Sequence, residues 1–253
     1  MTGNKFEDFV AIVERLRNEC PWDREQTNDT IKSATIEEAY EVVEAIDNKD
    51  YSELKKELGD LLLHVVFHTV IAEESNYFKI NDVIDSIQEK LIRRHPHVFG
   101  DKKVSGTEEV LANWEETKLS EGREFLLDGI PELLPGLQRA HRLQEKASKV
   151  GFDWERKEDV WKKVIEEIEE MHQSVTEGTH DEIENEIGDV FFAMVNYSRF
   201  LGVNPENALR RTNKKFINRF KYVEKKIAES GKKLTESTLE EMDKYWEESK
   251  KDY

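Results

Sequence analysis

Apolar residues recur three and four positions apart along most of the chain, a spacing that places them on one face of an α-helix. In the first half this pattern predicts helices over residues 6–16, 54–71, 83–91 and 110–119. Asn81 is the predicted N-cap of the third of these helices. The pair His95-Pro96 predicts its end, because the residue before a proline is disfavoured in the helical conformation.

The same pattern resumes in the second half. It predicts helices over residues 133–150, 160–175, 182–201, 205–228 and 237–250. Asn204 followed by Pro205 predicts a helix start, with asparagine as the N-cap and proline in the first turn. Two glycines and two prolines make residues 120–135 the best linker candidate. No convincing alternating strand pattern occurs. We therefore predict an all-α fold with one domain over residues 1–119, a linker over 120–135 and a second domain over 136–253.

One acidic pattern occurs twice, an EExxE motif followed by an ExxD motif. Its members are Glu37, Glu38, Glu41, Glu57 and Asp60 in the first half, and Glu166, Glu167, Glu170, Glu186 and Asp189 in the second. In each copy the first glutamate precedes that of the ExxD motif by the same interval (57 − 37 = 20 and 186 − 166 = 20). A single acidic cluster is typical of a solvated helix face in so charged a chain. Repetition of the cluster with the same internal spacing indicates that both copies have the same chemical purpose.

Other residues repeat in the same order as the acids. The matching sets are Trp22 with Trp154, Lys90 and Arg94 with Lys215 and Arg219, and Trp114 and Lys118 with Trp246 and Lys250. Each set keeps its internal spacing, while the separation between the copies varies from one element to the next. Loop insertions in a duplicated domain have this effect. We therefore predict that the chain is a tandem duplication.

The spacing of the acids predicts that their carboxylates converge. Residues three and four apart share a helix face, so Glu38 and Glu41 are neighbours, as are the two acids of each ExxD motif. Antiparallel packing of the two helices would bring about five carboxylates together, and such groups repel one another unless a cation intervenes. Mg²⁺ and Mn²⁺ are hard cations that suit carboxylate oxygens, and two or more ions are plausible. Gly59 and Gly188 precede the aspartates and predict a close approach of the two helices.

The repeated basic and tryptophan residues suggest a nucleotide ligand. Single pairs of basic residues are usually surface charge. Opposite a metal cluster they can contact phosphate oxygens, arginine through its planar fork and lysine as a point charge. Trp114 and Trp246 either stack on a base or fill the core. Each of these two is followed four residues later by a lysine, which gives the two interpretations about equal weight.

A transition-metal site is a further hypothesis. His64 and His68 lie four residues apart on the helix that carries Asp60. The second half has Ala193 and Tyr197 at the corresponding positions, 129 residues further on. A ferritin-like di-iron site, which needs a Glu-x-x-His motif on two helices, is therefore not supported.

Composition narrows the class of protein. The chain has 253 residues and a formal net charge of −17, from 38 basic and 55 acidic residues. This balance argues against binding to nucleic acid or to an anionic membrane. The single cysteine fits a reducing compartment. There is no apolar run long enough to span a membrane and no secretory leader, so we expect a cytoplasmic protein.

Taken together, the motifs resemble those of the MazG family of all-α nucleoside triphosphate pyrophosphohydrolases. The resemblance rests on the paired EExxE and ExxD motifs and on three further segments: CPWD at 20–23, RRHPHVFG at 93–100 and VGFDW at 150–154. It runs along nearly the whole chain. The implied fold is a tandem repeat of two four-helix-bundle domains, and the implied assembly is a homodimer.

The resemblance also implies an activity and a set of site residues. The activity is Mg²⁺-dependent cleavage of NTPs and dNTPs to the monophosphate and pyrophosphate, as nucleotide-pool housekeeping, with Mn²⁺ as a possible substitute. The implied catalytic residues are Glu166, Glu167 and Glu170, of which Glu166 assists or orients water. The implied metal ligands are Glu167, Glu170, Glu186 and Asp189, with Glu38, Glu41, Glu57 and Asp60 in the first half. The implied nucleotide contacts are Lys163, Glu166, Lys215, Arg219, Trp246 and Lys250. A first-half site would add Glu37, Lys90, Arg94, Trp114 and Lys118.

The two halves differ three residues before the EExxE motif, where the second has Lys163 and the first has Ala34. We therefore predict that the second half holds the main catalytic site. One rival hypothesis is a non-catalytic helical module that binds nucleotides or a protein partner and uses Mg²⁺ structurally. Another is a metal-storage or redox bundle, in which His64 and His68 would be functional.

Overall fold

The computed structural model of the protein describes residues 3–107, 109–110 and 125–251. Over these residues the chain forms α-helices and one short 3-10 helix, with no β-strand among them. The prediction of an all-α fold is confirmed. The chain divides into two compact units, Met1–Lys118 and Leu119–Tyr253. None of the helices in the described ranges is both long and apolar enough to cross a membrane.

Each helix predicted from apolar spacing in the described ranges is present, whereas three helices, Pro21–Glu25, Asn28–Asn48 and Pro96–Phe99, are additional to the predicted ranges. Those described in the first unit are α1 (Lys5–Glu19), α2 (Pro21–Glu25), α3 (Asn28–Asn48), α4 (Tyr51–Glu74), α5 (Ile80–Arg94) and α6 (Pro96–Phe99). Those described in the second unit are α7 (Gly136–Ser148), α8 (Lys157–Glu177), α9 (His180–Phe200), α10 (Pro205–Glu229), a 3-10 helix (Leu234–Glu236) and α11 (Leu239–Ser249).

In each unit a two-residue connection pairs the helix of the EExxE motif with that of the ExxD motif. Lys49, in the left-handed conformation with φ of 56°, ends α3. Asp50 then caps α4 by accepting hydrogen bonds from the N–H groups of Ser52 and Glu53, both at 3.0 Å. In the second unit Thr179 caps α9 after a similarly short connection from α8. So short a connection makes consecutive helices antiparallel neighbours, and α3 packs along α4 as α8 does along α9.

The core of the first unit lies between this helix pair and α1. Val13, Ile31, Val66, Phe67 and Val70 form one buried apolar cluster from α1, α3 and α4. In the second unit α7 takes the place of α1 against α9, and α10 packs on both α7 and α11. Its most buried apolar side chains are Val160, Val164, Val195, Val223 and Ile227. The carboxylate-bearing helices are therefore held from one side by a packed core.

Two predicted helix starts are wrong. The N-cap of α5 is Lys79 rather than Asn81, since the Asp82 carboxylate accepts a hydrogen bond from the Lys79 N–H at 2.8 Å and the helix begins at Ile80. The helix predicted over residues 133–150 begins at Gly136 instead. Pro135 occupies its N-cap position, and Leu133 lies before the helix and is 92% exposed. The start at Asn204 is confirmed. The helix predicted over 110–119 and the first part of the predicted linker lie outside the described residues.

The role predicted for the two helical glycines is also wrong within the described chain. A Cβ atom built at Gly59 or Gly188 would meet no atom within 4 Å. Both residues are exposed. The close packing of each helix pair therefore does not depend on a small residue at these positions.

Candidate metal and nucleotide site

Three carboxylates of the second unit converge between α8 and α9. Glu167 projects from α8, and Glu186 and Asp189 lie one turn apart on α9; an oxygen of each lies within 4.8 Å of the others. Glu167 is only 8% exposed. Burial, followed by the charge of Glu167, raises the pKa of Glu170. The fourth predicted ligand thus lies within electrostatic reach of the same cluster.

A lysine sits at the edge of this cluster. The Lys163 Nζ donates to Glu166 Oε1 at 2.6 Å and forms an ion pair with Glu167 Oε1 at 2.8 Å. These bonds raise the pKa of Lys163, the bond to Glu166 contributing most. All three side chains come from successive turns of α8, so the helix itself fixes their geometry. A positive charge therefore lies beside the carboxylate cluster.

The first unit also contains a cluster of three carboxylates, and it has Ala34 at the position of Lys163. Oxygens of Glu38, Glu41 and Glu57 lie within 4.8 Å of one another. Burial and hydrogen bonds with Glu53 and Glu41 raise the pKa of Glu57 to about 7. Burial and the charges of Glu41 and Asp60 also raise the pKa of Glu38. In the metal-free protein this cluster therefore holds protons that an isolated glutamate would lose.

Both clusters fit a hard divalent cation. Each offers at least three carboxylate oxygens from two helices, which is the donor type that Mg²⁺ and Mn²⁺ prefer. Burial is the largest cause of the raised pKa values of Glu38, Glu57 and Glu170, and the negative charges of neighbouring carboxylates raise them further. A bound cation would offset these negative charges.

A cavity of about 660 Å³ opens beside the second cluster, within the range of pockets that hold small molecules. Its walls include the cluster residues Lys163, Glu167 and Asp189. The remaining lining residues are mostly apolar or aromatic, with a few polar groups: Leu127, Leu143, Gln144, Ala147, Gly151, Phe152, Asp153, Trp154, Phe192, Ala193, Asn196 and Arg199. Arg199 is held in place by an ion pair with Asp153 and by hydrogen bonds to Asn196 Oδ1 at 3.1 and 2.9 Å. The cavity thus combines apolar walls with fixed polar groups next to the carboxylates.

In the first unit, core side chains occupy two of the corresponding positions. Asn196 and Arg199 correspond to Phe67 and Val70, 129 residues earlier. Both of these belong to the buried apolar cluster of the first unit. Groups that line a cavity in one repeat therefore pack into the core in the other.

The predicted basic and tryptophan contacts lie elsewhere. In the second unit the Arg219 guanidinium lies over the Trp246 ring, 5.7 Å from its centre. The Lys250 ammonium forms an ion pair with Glu247. Among the described residues that line the cavity, Lys215, Arg219, Trp246 and Lys250 do not appear.

The first-half counterparts are only partly described. Lys90 and Arg94 lie in the second half of α5, a helix that packs on α4. Trp114 and Lys118 lie outside the described residues. The structure therefore does not test a complete first-half nucleotide site.

The cavity lining is the part of the site that the sequence did not predict. Trp154 was identified as the residue that corresponds to Trp22 in the repeat, but the sequence pattern did not place it near the acids. Phe152 and Asp153 belong to the VGFDW segment, whose place beside Glu167 depends on how α7 leads into α8. The sequence contained one indication of the lining. Ala193, Asn196 and Arg199 follow Asp189 at helical spacing and therefore lie on the same face of the ExxD helix.

Comparison with known proteins defines the class. The MazG nucleotide pyrophosphohydrolase domain matches the chain twice, over residues 26–99 and 155–224. The chain belongs to this family, and the prediction of a tandem repeat is confirmed.

Individual relatives match over nearly the full length. The chain is 46% identical over 253 residues to the nucleoside triphosphate pyrophosphohydrolase/pyrophosphatase MazG of Thermotoga maritima, covering 98% of this chain and 96% of the relative. It is 43% identical over 257 residues to the nucleoside triphosphate pyrophosphohydrolase of Escherichia coli K12, covering 98% of each. A crystal structure of a mazG-related protein from Thermotoga maritima covers 45% of the chain and 98% of that structure, with 29% identity and a TM-score of 0.41.

Proposed function

We propose that this protein is a Mg²⁺-dependent nucleoside triphosphate pyrophosphohydrolase that converts NTPs and dNTPs to the monophosphate and pyrophosphate. The observation that carries the proposal is the second-unit site, where Glu167, Glu186 and Asp189 converge beside both Lys163 and the 660 Å³ cavity. The names of the full-length relatives agree with it. In this arrangement the cavity takes the nucleoside and the carboxylate cluster faces the triphosphate.

The residues of the site divide into three groups by chemistry. Glu167, Glu170, Glu186 and Asp189 would hold Mg²⁺, which when bound neutralises phosphate charge and makes a coordinated water more acidic. Lys163 lies where it can stabilise negative charge that develops on the phosphate oxygens. The aromatic and polar walls of the cavity would hold and orient the base and sugar.

The reaction needs no covalent intermediate. Water oxygen forms a bond to the α-phosphorus, the bond from that phosphorus to the bridging oxygen breaks, and pyrophosphate leaves. The proton of the attacking water passes to a carboxylate of α8, and the candidates are Glu166, Glu167 and Glu170. Of these three, Glu166 alone is not among the proposed metal ligands; its side chain is 56% exposed and bonds Lys163, so it could orient water without holding metal.

The product mixture tests the proposal. Purified protein with Mg²⁺ and a panel of NTPs and dNTPs is expected to give monophosphate and pyrophosphate, and EDTA is expected to stop the reaction. Chromatography resolves these products from diphosphate and inorganic phosphate. Diphosphate as the product would exclude attack at the α-phosphorus. Intact triphosphates with both Mg²⁺ and Mn²⁺ would favour the rival hypothesis of a non-catalytic binding module.

A homodimer is part of the same proposal. The helices that carry the carboxylates also expose large apolar side chains, including Leu58 and Leu62 on α4 and Phe191 on α9, at 50%, 41% and 58% exposure. A second copy of the chain would cover such side chains. Light scattering on the eluting protein is expected to give about twice the 29.7 kDa of one chain. A mass of one chain at micromolar concentration would contradict this.

A further inference from the structure

One residue of the second-unit cavity carries a hydrogen-bond acceptor that has no partner in the described part of the chain. Gln144 lies on α7, lines the cavity and is only 8% exposed. Its amide nitrogen Nε2 donates to the Phe192 carbonyl on α9 at 2.8 Å. Its amide oxygen Oε1 is buried, and no described residue donates to it. A buried acceptor without a donor is unfavourable, so this oxygen marks a place in the cavity wall where a ligand can supply the donor.

The bond to Phe192 fixes which way the Gln144 amide faces. A carbonyl oxygen only accepts hydrogen bonds, so the atom 2.8 Å from the Phe192 oxygen must be the NH₂ group of Gln144. The opposite orientation of the amide would bring two oxygens together. Because α7 packs on α9, the bond between the two helices also holds the amide in place. Oε1 is therefore an acceptor at a fixed position.

The two cationic side chains of the cavity wall bond other acceptors. The Lys163 ammonium bonds Glu166 and Glu167 on its own helix, at 2.6 and 2.8 Å. The Arg199 guanidinium forms an ion pair with Asp153. Neither side chain donates to the Gln144 oxygen. The donor that completes this part of the wall therefore has to come with the ligand.

The surrounding wall suits a flat ring. Phe152, Trp154 and Phe192 contribute aromatic side chains to the same cavity and are 82%, 47% and 45% exposed. Exposed aromatic faces can stack on another ring. The acids of the second cluster and Lys163 line the cavity as well. A nucleotide whose phosphates lie at these charged groups has the aromatic part of the wall left for its base.

The chemistry of the bases indicates which donor would meet the oxygen. Adenine, cytosine and guanine carry an exocyclic amino group, a neutral N–H donor. Thymine has an oxo oxygen where cytosine has its amino group, and an oxo oxygen facing Gln144 would bring two acceptors together. Because Oε1 is buried in the wall, a group that projects from the edge of the base reaches it more readily than a nitrogen within the ring.

We propose that Gln144 selects the base of the substrate by accepting a hydrogen bond from an exocyclic amino group. The favoured substrates are then nucleoside triphosphates whose base carries such a group. This inference rests on the proposed function, in which the cavity takes the nucleoside. Gln144 contacts the base and not the reacting phosphate, so it determines specificity and takes no part in the chemical step.

Purine riboside triphosphate is the matched probe, because it is ATP without the 6-amino group. For the unmodified full chain with Mg²⁺, kcat/KM is expected to be at least about tenfold higher for ATP, the scale of one buried hydrogen bond. Gln144→Met keeps the length of the side chain and removes the carbonyl acceptor. In this variant the ratio of the two kcat/KM values is expected to fall to within about twofold of one. An equal ratio in the unmodified protein and in Gln144→Met would overturn the proposal.

The control is the same substitution elsewhere on the helix. Gln138 also lies on α7 but does not line the cavity, and Gln138→Met is expected to keep the ATP preference of the unmodified protein. A purely structural role of Gln144 would lower kcat/KM for both substrates and leave their ratio unchanged. The unmodified protein gives a test that needs no variant. A preference for ATP of less than about twofold would by itself reject base selection.

The ribose is another source of a donor, and sugar analogues separate it from the base. The ratios of kcat/KM for ATP against dATP and for ATP against 3′-deoxy-ATP are expected to be the same, within about twofold, in Gln144→Met and in the unmodified protein. If Gln144→Met changed one of these ratios and left the purine riboside ratio unchanged, the oxygen would belong to a sugar hydroxyl. That result would overturn the assignment to the base.

Binding and turnover distinguish this inference from the proposed function. The α,β-methylene analogues of ATP and of purine riboside triphosphate cannot be cleaved at the bond that the proposed reaction breaks. Their Kd values, measured by calorimetry with Mg²⁺, are expected to show the same preference of about tenfold. That preference without monophosphate and pyrophosphate from ATP would reject only the pyrophosphohydrolase. Monophosphate and pyrophosphate without the preference would reject only base selection by Gln144.

Discussion

Glu167→Gln is expected to lower kcat for nucleoside triphosphate hydrolysis by about 10²-fold or more, the scale of losing one preorganised electrostatic contact to the transition state. Glutamine keeps the size of the side chain but removes the charge that holds a hard cation. Glu167 is the most buried acid of the second cluster and also bonds Lys163, so the substitution disturbs both the metal ligands and the phosphate contact. Steady-state kinetics at saturating Mg²⁺ measures the effect.

The matched control is Glu38→Gln, at the same position of the EExxE motif in the first unit. We expect kcat to stay within about threefold, because Glu38 belongs to the other compact unit and has no part in the second-unit site. The first unit lacks two features of the second-unit site. It has Ala34 in place of the lysine, and its Phe67 and Val70 pack into the core at positions that line the cavity in the second unit. Thermal unfolding curves would show that both variants fold. Equal losses of kcat in the two variants would contradict the prediction that the second unit is the main site.

Arg17→Met is expected to lower the free energy of unfolding of the first unit by about 2 kcal/mol, the scale of removing a buried charged donor from its hydrogen-bond acceptors. The Arg17 side chain joins three segments. It contacts the Glu74 carboxylate at 2.7 and 2.9 Å, the Gln26 carbonyl at 2.9 Å and the Asp23 carbonyl. Arg17 is 8% exposed, so methionine would leave two carbonyl groups without this donor. Denaturant unfolding of the full chain measures the loss.

A second arginine of α1 provides the control. Arg15 pairs with Glu19 at 3.0 Å, but both side chains are largely exposed, at 75% and 63%. Arg15→Met is therefore expected to change stability by less than about 1 kcal/mol. The hydrogen bond from Arg17 lowers the pKa of Glu74, so the contribution of the Arg17 pair is present at neutral pH and is lost as the pH falls through that lowered pKa. Similar losses for the two arginine variants would show that burial of Arg17 contributes little.

The helices were predictable because each buries one stripe along its length. Val13, Val66 and Val164 lie in stripes that the sequence showed, and all three are buried. The convergence of the acids was also predictable, since two short connections align the EExxE and ExxD helices. The N-cap positions were harder to predict. The Lys79 N–H donates a hydrogen bond to the Asp82 carboxylate at the start of α5, and apolar spacing carries no information about such a bond.

The cavity and the contacts of His64 depend on tertiary structure. Phe152 and Glu167 line one cavity because of the path that the chain takes between α7 and α8. Thr35 contacts His64 across two helices, 29 residues apart in sequence.

The open space at Gly59 and Gly188 has a consequence for the stability of each repeat. A glycine inside a helix is about 1 kcal/mol less favourable than alanine, and nothing in the described chain uses the missing side chain to offset that loss. Both copies of the duplication carry the same unfavourable residue, one position before the aspartate of each ExxD motif. Alanine at either position is therefore expected to raise the free energy of unfolding by about 1 kcal/mol, because the helix would gain propensity and the new methyl group would meet no other atom.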